Sequence, residues 1–319
     1  MSLHTDFPEL QIGNLCGLFG YTKQAYYQNI SRKCVGESKD DLVLQLVQDI
    51  RKVMPRLGTR KILHILREKY SLDIGRDHLF DVMRDNGLLF RKRKLTYKTT
   101  YSGHNLRTYP NAITDVVPSR PNEVWVSDIT YIIFGYTFRF LFLVTDAYSK
   151  KIVGWKYSSN LLTDSAIAAL DMALKQRKGK QPLIHHSDRG TQYCASKYIA
   201  ALKKHGILPS MTESDDPREN SIAERVNGIL KQEFIERLDD MTIDNAEEKI
   251  GKIIAIYNNQ RPHLSLGMLT PSQAHKMTGE QNRLWKAYYY HNNAANSNNL
   301  TTFADADNKD DDHLDRSPN

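Results

Sequence analysis

The chain has 319 residues, 40% of them hydrophobic and 25% charged, with a formal net charge of +7. This is ordinary for a globular protein and long enough to bury at least one sizeable core, with two folded units the natural expectation. No run of about 18 apolar residues is present, which argues against a helical membrane span. The three cysteines, Cys16, Cys34 and Cys194, include no C-x-x-C pair, which argues against both a disulfide framework and a zinc finger.

The charge is unevenly spread. Residues 301–319 hold six aspartates (Asp305, Asp307, Asp310, Asp311, Asp312 and Asp315) against Lys309 and Arg316; the rest of the chain has 42 basic and 31 acidic residues. A surplus of that size favours a polyanionic partner, nucleic acid over membrane. The start of the chain, "MSLHTDFPELQIGNLC", has no basic stretch followed by an apolar core, so the expected location is the cytoplasm.

In chain order, "LCGLFGYTKQAYYQ" reads as a small helical pair. "DDLVLQLVQDIRKVM" places Leu42, Leu46, Ile50 and Val53 on one helical face, and "GTRKILHILREKY" repeats the pattern with Ile62, Ile65 and Leu66. "DIGRDHLFDVMRDNGLLF" gives a further helix after a short turn, ended near Gly87. This is a helix-turn-helix outline, one that other small helical bundles share. The "RKRK" that follows, Arg91, Lys92, Arg93 and Lys94, is a basic extension suited to phosphate contacts. Residues 1–110 are thus expected to form a helical DNA-binding region, and the prolines at 110, 118 and 121 mark a linker over 111–121.

Beyond the linker "EVWVSDITYIIF", "FRFLFLVTDAYS" and "KIVGWKYSS" read as three consecutive antiparallel strands. "TDSAIAALDMALKQRKG" is a helix with Thr163 or Asp164 near its N-cap; "PLIHHS" is a fourth strand, "SKYIAALKKHG" a helix closed by Gly206, and "ILPSM" a fifth strand. "SIAERVNGILKQEFIERL" and "TIDNAEEKIGKIIAIYNNQ" are helices. The order predicts a ribonuclease H-like α/β core over 122–276, a five-stranded mixed sheet with helices. Residues 277–319 are expected to be a disordered polar and acidic tail.

Asp128 falls in the middle of the first strand, where aspartate is depleted and costly to bury without a partner or a metal. Asp188 ends the fourth strand before Arg189 and Gly190, a position that a turn-capping aspartate would also fill. Glu224 lies on a helix, where a solvated glutamate is the ordinary explanation. In the expected strand order the two aspartates become neighbours with the Glu224 helix across their ends. Three hard oxygen donors, with no histidine or cysteine at metal-ligand spacing, suit Mg²⁺ or Mn²⁺. Such carboxylates would repel one another unless cations neutralised them.

The step of 36 from Asp188 to Glu224 resembles the Asp-Asp-35-Glu triad of retroviral integrases and insertion-sequence transposases. The blocks "WVSDITY", "VTDAYSKKIVGW", "HHSDRGTQY", "ENSIAERVNGILKQEF" and "YNNQRPHLSLGMLTP" resemble the transposase catalytic subunit (downstream frame, orfB) of the insertion-sequence-three family. "LGTRKILHILREKY" and "HLFDVMRDNGLLFRKRK" resemble its helix-turn-helix region, so that residues 12–276 are covered. The family places "DNA" before "ES" at the glutamate where this chain has "ENSIAER", which weakens any transfer of roles to Asn220 and Ser221.

The resemblance implies a catalytic, metal-holding triad of Asp128, Asp188 and Glu224 with two Mg²⁺ or Mn²⁺ ions, and a turn role for Asp146. It further implies in-line attack by water and then by a DNA 3′-hydroxyl. The partners implied are double-stranded DNA, as inverted-repeat ends and target, a homo-oligomeric synaptic complex and an upstream-frame (orfA) product. Residues 224, 227, 228 and 231 share a helical face, so Asn227 and Lys231 are expected DNA contacts, and Arg261 in the last block is added to them. The rival readings are a ribonuclease H-like nuclease that only hydrolyses and a domesticated, non-catalytic DNA-binding regulator.

Overall fold

A computed structural model of the chain describes residues 12–90, 106–213, 219–238 and 240–280. These belong to one compact unit spanning Met1–Leu284, while a second, Trp285–Asn319, lies outside the described residues together with most of the expected tail.

The helical region opens with α1 (Ile12–Leu18) and α2 (Lys23–Val53). Thr22 caps α2 by accepting a hydrogen bond from the Ala25 N–H at 3.1 Å. The second member of the expected helical pair and the helix expected from residue 40 are thus one element, since no proline interrupts the stretch. Its buried stripe is Val43, Val47, Ile50 and Met54, whereas Leu42 and Val53 are exposed. Ile50 is buried as expected, while the rest of the expected face is shifted by one residue, because apolar side chains stand at adjacent positions and two stripes satisfy the helical period. In α3 (Thr59–Tyr70) Ile62 and Leu66 are fully buried and Ile65 half-buried, as expected. The next helix, α4 (Arg76–Asp85), is followed by Gly87 at φ 66°, and this pair of helices joined by a short turn is consistent with a helix-turn-helix.

The sheet consists of β1 (Val124–Phe134), β2 (Thr137–Asp146), β3 (Ile152–Ser158), β4 (Leu183–Ser187) and β5 (Ile207–Met211), in the order β3-β2-β1-β4-β5. The first three strands are antiparallel, while β4 lies parallel to β1 and β5 parallel to β4. This is the mixed five-stranded sheet expected from the sequence. Parallel pairs need crossovers, which are α5 (Thr163–Gln176) between β3 and β4, and α6 (Thr191–Cys194) with α7 (Ser196–Lys204) between β4 and β5. Leu162 is the N-cap of α5, with no side-chain cap; Thr163 is already helical.

Strand alternation divides the core. Trp125, Phe142, Val144 and Val153 pack against α5 and α7. On the other face Ile132, Leu141, Leu143 and Tyr157 pack against α8 (Ser221–Ile229) and α9 (Ala246–Asn259), in an apolar cluster continuous with α2, α3 and α4. α8 runs on as a π-helical turn, Leu230–Phe234, and a 3₁₀ turn, Ile235–Arg237. A short α10 (Pro271–Ala274) begins with a capping box between Thr270 and Gln273.

Close packing of α5 on the sheet depends on small residues. Ala166, Ala169 and Ala173 are buried, and a Cβ on Gly154 would stand 2.1 Å from the Ala169 carbonyl oxygen and 2.9 Å from Ala173 Cβ. Since the clash is with helix backbone, Gly154→Ala should destabilise the fold by roughly 1–3 kcal/mol. Urea unfolding checks this; an unchanged midpoint would mean that α5 does not seat as described.

Candidate active site

The parallel pairing of β1 with β4 brings the two aspartates together. Its last register pair is Ser127 with Ser187, and Asp128 and Asp188 are the next residue of each segment. Period-two alternation puts Asp128 with Val126 and Ile132 on the sheet face that α8 covers. Asp128 Oδ1 accepts the Ile129 N–H at 2.8 Å and Oδ2 accepts Asn227 Nδ2 at 2.7 Å. Asp188 Oδ1 accepts the Gly190 N–H at 3.1 Å, so Asp188 does shape the turn after β4. Burial, then the charge of Asp188 and, less strongly, that of Glu224, push the Asp128 carboxyl up to about 7 against the two hydrogen bonds. Asp188 and Glu224 therefore face Asp128 closely enough to be felt. Among the described residues no group of three His, Cys, Asp or Glu side chains is drawn together tightly enough to hold a metal ion. The arrangement is a convergence of negative charge, not a finished coordination shell.

Two asparagines of α8 and its N-cap tie the helix to β1. Asn220, at the N-cap, donates from Nδ2 to the Ser127 carbonyl at 3.1 Å, and Asn227 donates to Asp128. A seven-residue step returns to nearly the same helical face, so both grip one strand while Glu224, exposed, sits between them in the first turn. The sequence undervalued Asn220, whose signal was an asparagine at a helix start that spends its side chain elsewhere.

Two of the expected DNA contacts are buried. Asn227 is buried and its amide is engaged by Asp128, which makes it a support for that carboxylate. Arg261 is 1% exposed, with its guanidinium on both carboxylate oxygens of Glu233 at 2.6 and 2.8 Å; it cannot reach a DNA backbone without leaving the core. Lys231 is half-buried on the π turn. Arg91, Lys92, Arg93 and Lys94 lie outside the described residues.

Asp146 plays the expected turn role: fully buried, it accepts from Ser149 N and Oγ at 2.7 and 2.6 Å and from Asn122 N at 2.6 Å. The adjacent histidines are structural. His185 Nε2 lies 2.8 Å from Ser127 Oγ and 2.9 Å from Tyr198 Oη, and His186 Nδ1 lies 2.9 Å from Ser210 Oγ. Burial lowers their pKa values to about 3 and about 4, so both rings stay neutral at physiological pH.

A five-stranded mixed sheet with aspartates at adjacent strand positions and a glutamate-bearing helix across them is the ribonuclease H-like core of the integrase type. Two families, each described as an integrase core domain, match residues 118–217 and 205–271. The uncharacterized 31 kDa protein of insertion element IS600 from Shigella sonnei is 31% identical over 262 residues, 81% of this chain and 96% of that protein. The transposase for insertion sequence element IS629, also from Shigella sonnei, is 28% identical over 275 residues, 83% of this chain and 91% of that one. Transposase InsF for insertion sequence IS3A of Escherichia coli K12 is 32% identical over 193 residues, 60% of this chain and 67% of that one. The HTLV-2 integrase catalytic core domain, solved in complex with magnesium, is 20% identical with a TM-score of 0.42, covering 50% of this chain and 99% of that one, a likeness too loose to carry residue correspondences. The chain belongs to the insertion-sequence transposases of the IS3 family, within the superfamily of transposases and integrases built on this core.

The raised Asp128 carboxyl has a consequence for stability. An unfolded aspartate titrates near 3.9, so the folded protein binds the extra proton more tightly. The stabilisation is complete below about pH 4 and is lost as the pH rises through about 7. Without divalent ions, unfolding free energy should fall over this window by at most about 4 kcal/mol. Asp128→Asn should flatten this part of the pH profile; an equal slope in that variant would place the titration elsewhere.

Proposed function

We propose that this chain is the catalytic subunit of a DNA transposase that cleaves the ends of an insertion sequence and joins them to DNA, with Asp128, Asp188 and Glu224 as the catalytic, metal-holding residues. The observation that carries the reading is the Asp128 carboxyl, forced up by burial and by the facing Asp188 and Glu224 in a chain of this family. A divalent cation relieves that repulsion, and the donors are hard oxygens while the nearby histidines are buried and neutral. Bound Mg²⁺ or Mn²⁺, two ions in this reading, would activate the attacking oxygen and stabilise the leaving one.

The remaining work falls to the protein. Asn227 and the Ile129 N–H fix the Asp128 carboxylate in one orientation. Asn220 holds the start of α8 against β1 and so sets the distance of Glu224 from the aspartates. Lys231, seven residues and about 10 Å beyond Glu224 along the helix, would meet a phosphate near the scissile bond. The helical region, within residues 1–110, would bind the terminal repeats, with Arg91 to Lys94 on phosphates. An oligomer pairing two ends, an upstream-frame partner and target DNA complete the assembly. Hydrolysis without joining and a domesticated regulator gain no support, since the IS629 and IS3A relatives are transposases and all three carboxylates are present.

Asp128→Asn, Asp188→Asn and Glu224→Gln should each reduce cleavage and joining of end-bearing oligonucleotides by about a thousandfold or more, the loss of several kcal/mol of transition-state stabilisation. End binding should persist in all three. Measurable strand transfer by any of them would sink the assignment. Lys231→Glu should weaken end binding and joining, whereas Lys203→Glu, on α7, should do much less; equal, small effects would remove Lys231 from the DNA path.

A further inference from the structure

A charged contact lies where the helical region meets the core. Glu233, on the π turn that continues α8, holds Arg261, just beyond α9, through two hydrogen bonds, and Lys61, on α3, stands 3.9 Å from Glu233 Oε1. All three are largely enclosed, with side-chain exposures of 1% for Arg261, 12% for Lys61 and 19% for Glu233. Around them the contact is apolar: Ile62 and Leu66 of α3 belong to the same buried cluster as Val226, Ile229, Leu230 and Phe234. Burial alone would raise the Glu233 carboxyl, but the bonds and charge of Arg261, then Lys61 and Arg225, outweigh it and hold it below the usual range. Burial and the Arg261 charge lower Lys61 to about 8. A lysine placed at such cost adds little that a leucine would not add to cohesion, so its charge calls for another role.

The neighbouring residue supplies one. Arg60 is exposed and lines, with Arg76, Asp77, Phe80, Asp81 and Arg84, an open cavity of about 530 Å³ on the α3–α4 pair, in which Arg76 pairs with Asp77 and Arg84 with Asp81. Arg60 and Lys61 are successive residues of one helical turn, pointing roughly 100° apart. One side of that turn thus faces outward, with Arg60 at the rim of a groove whose other arginines are paired with aspartates, and the other faces Glu233.

We propose that Lys61, Glu233 and Arg261 are positioning residues that couple engagement of a DNA end by the helical region to the placement of Glu224. The proposal rests on the assignment of Glu224 above. A phosphate drawn to Arg60 shifts the turn that carries Lys61, and Lys61 bears on the π turn through Glu233. Glu233 is nine residues, roughly 13 Å of helix, from Glu224, and a helix transmits a displacement along its axis. Arg261 anchors the far side of Glu233, so the shift is passed along α8 and not absorbed sideways.

The test uses the full chain with a duplex of the element's terminal repeat. Lys61→Met keeps the aliphatic stem and removes a charge that the fold already disfavours, whereas Glu233→Gln would strand the buried guanidinium. The expected result for Lys61→Met is an unchanged thermal midpoint, end affinity within about twofold, and joining at saturating DNA reduced by about tenfold or more, in the range of ordinary inter-site coupling. In the unaltered protein, end DNA should slow hydrogen exchange across residues 221–237; in Lys61→Met this response should vanish, and Lys61→Arg should restore it together with joining. If Lys61→Met does not fold, Lys61→Gln carries the same comparison. Wild-type joining and exchange in the charge-free variant would overturn the coupling, as would equal losses of end affinity and joining, which would make Lys61 a plain DNA contact. Glu224→Gln separates the two levels: loss of joining with the exchange response intact upholds both, whereas joining by that variant removes the catalytic assignment itself.

Discussion

Everything at the site depends on one pairing, the parallel ladder between β1 and β4. It ends at Ser127 and Ser187, so the next residues out are two aspartates on the same side of the sheet. Nothing in the aspartates favours this neighbourhood; the force comes from elsewhere. β1 is held along its length by β2, from Trp125 opposite Asp146 to Phe134 opposite Thr137, and its apolar side chains fill both faces of the core. Those contacts fix the register, and the register fixes the carboxylates. Slipping it by one residue would turn Val126 and Ile132 out of the core, a loss of several kcal/mol of apolar burial set against the repulsion of two carboxylates. The burial wins, and the site inherits a carboxyl that would rather be protonated.

The surroundings moderate that repulsion without removing it. Asn227 gives Asp128 a neutral donor where a lysine or arginine would have supplied a competing charge. An ion pair at this point would satisfy the carboxylate and leave little reason for a cation to bind. Two cationic side chains of this part of the fold are engaged elsewhere, Arg261 with Glu233 and Lys61 beside it.

The elements that were legible from sequence are those with an unambiguous period. β1, β2 and β3 read as strands because β-branched and aromatic residues recur between short turns, and α3 reads as a helix because Ile62 and Leu66 fall on one face. Where the pattern is degenerate, tertiary packing decides: in "LVLQLV" both the Leu42–Leu46 and the Val43–Val47 stripes fit a helix, and only the second is buried. Asp128, Asp188 and Glu224 stood out because a carboxylate in an apolar strand is conspicuous and the spacing is shared with a family. The partners of Asn227 and Arg261 are not legible in the sequence because residue type says what a side chain can bind and not what stands beside it. Asn227 meets Asp128 from 99 positions away, and Arg261 meets Glu233 from 28. The burial of an arginine by a glutamate leaves no trace in local periodicity.

The three carboxylates sit on supports of different stiffness. Asp128 is in the centre of a sheet and Asp188 one residue past another strand, so both are short side chains on fixed backbone. Glu224 has the longer side chain and the more adjustable support, a helix held at its start by Asn220, two turns on by Asn227 and beyond its end by Glu233. Between the last two grips α8 changes to a π turn, in which the Ile235 N–H reaches back five residues to the Leu230 carbonyl. A π turn is a local insertion in the helical register, costly in isolation and common at functional sites. Here it lets Leu230, Phe234 and Ile235 remain in the apolar cluster while Glu233 turns toward Arg261 and Lys61. A regular helix would carry one stripe through this stretch and would have to give up either the packing or the ion contact. The irregularity thus joins two demands on one helix: an apolar seat against the helical region, and a charged grip at the end opposite Glu224.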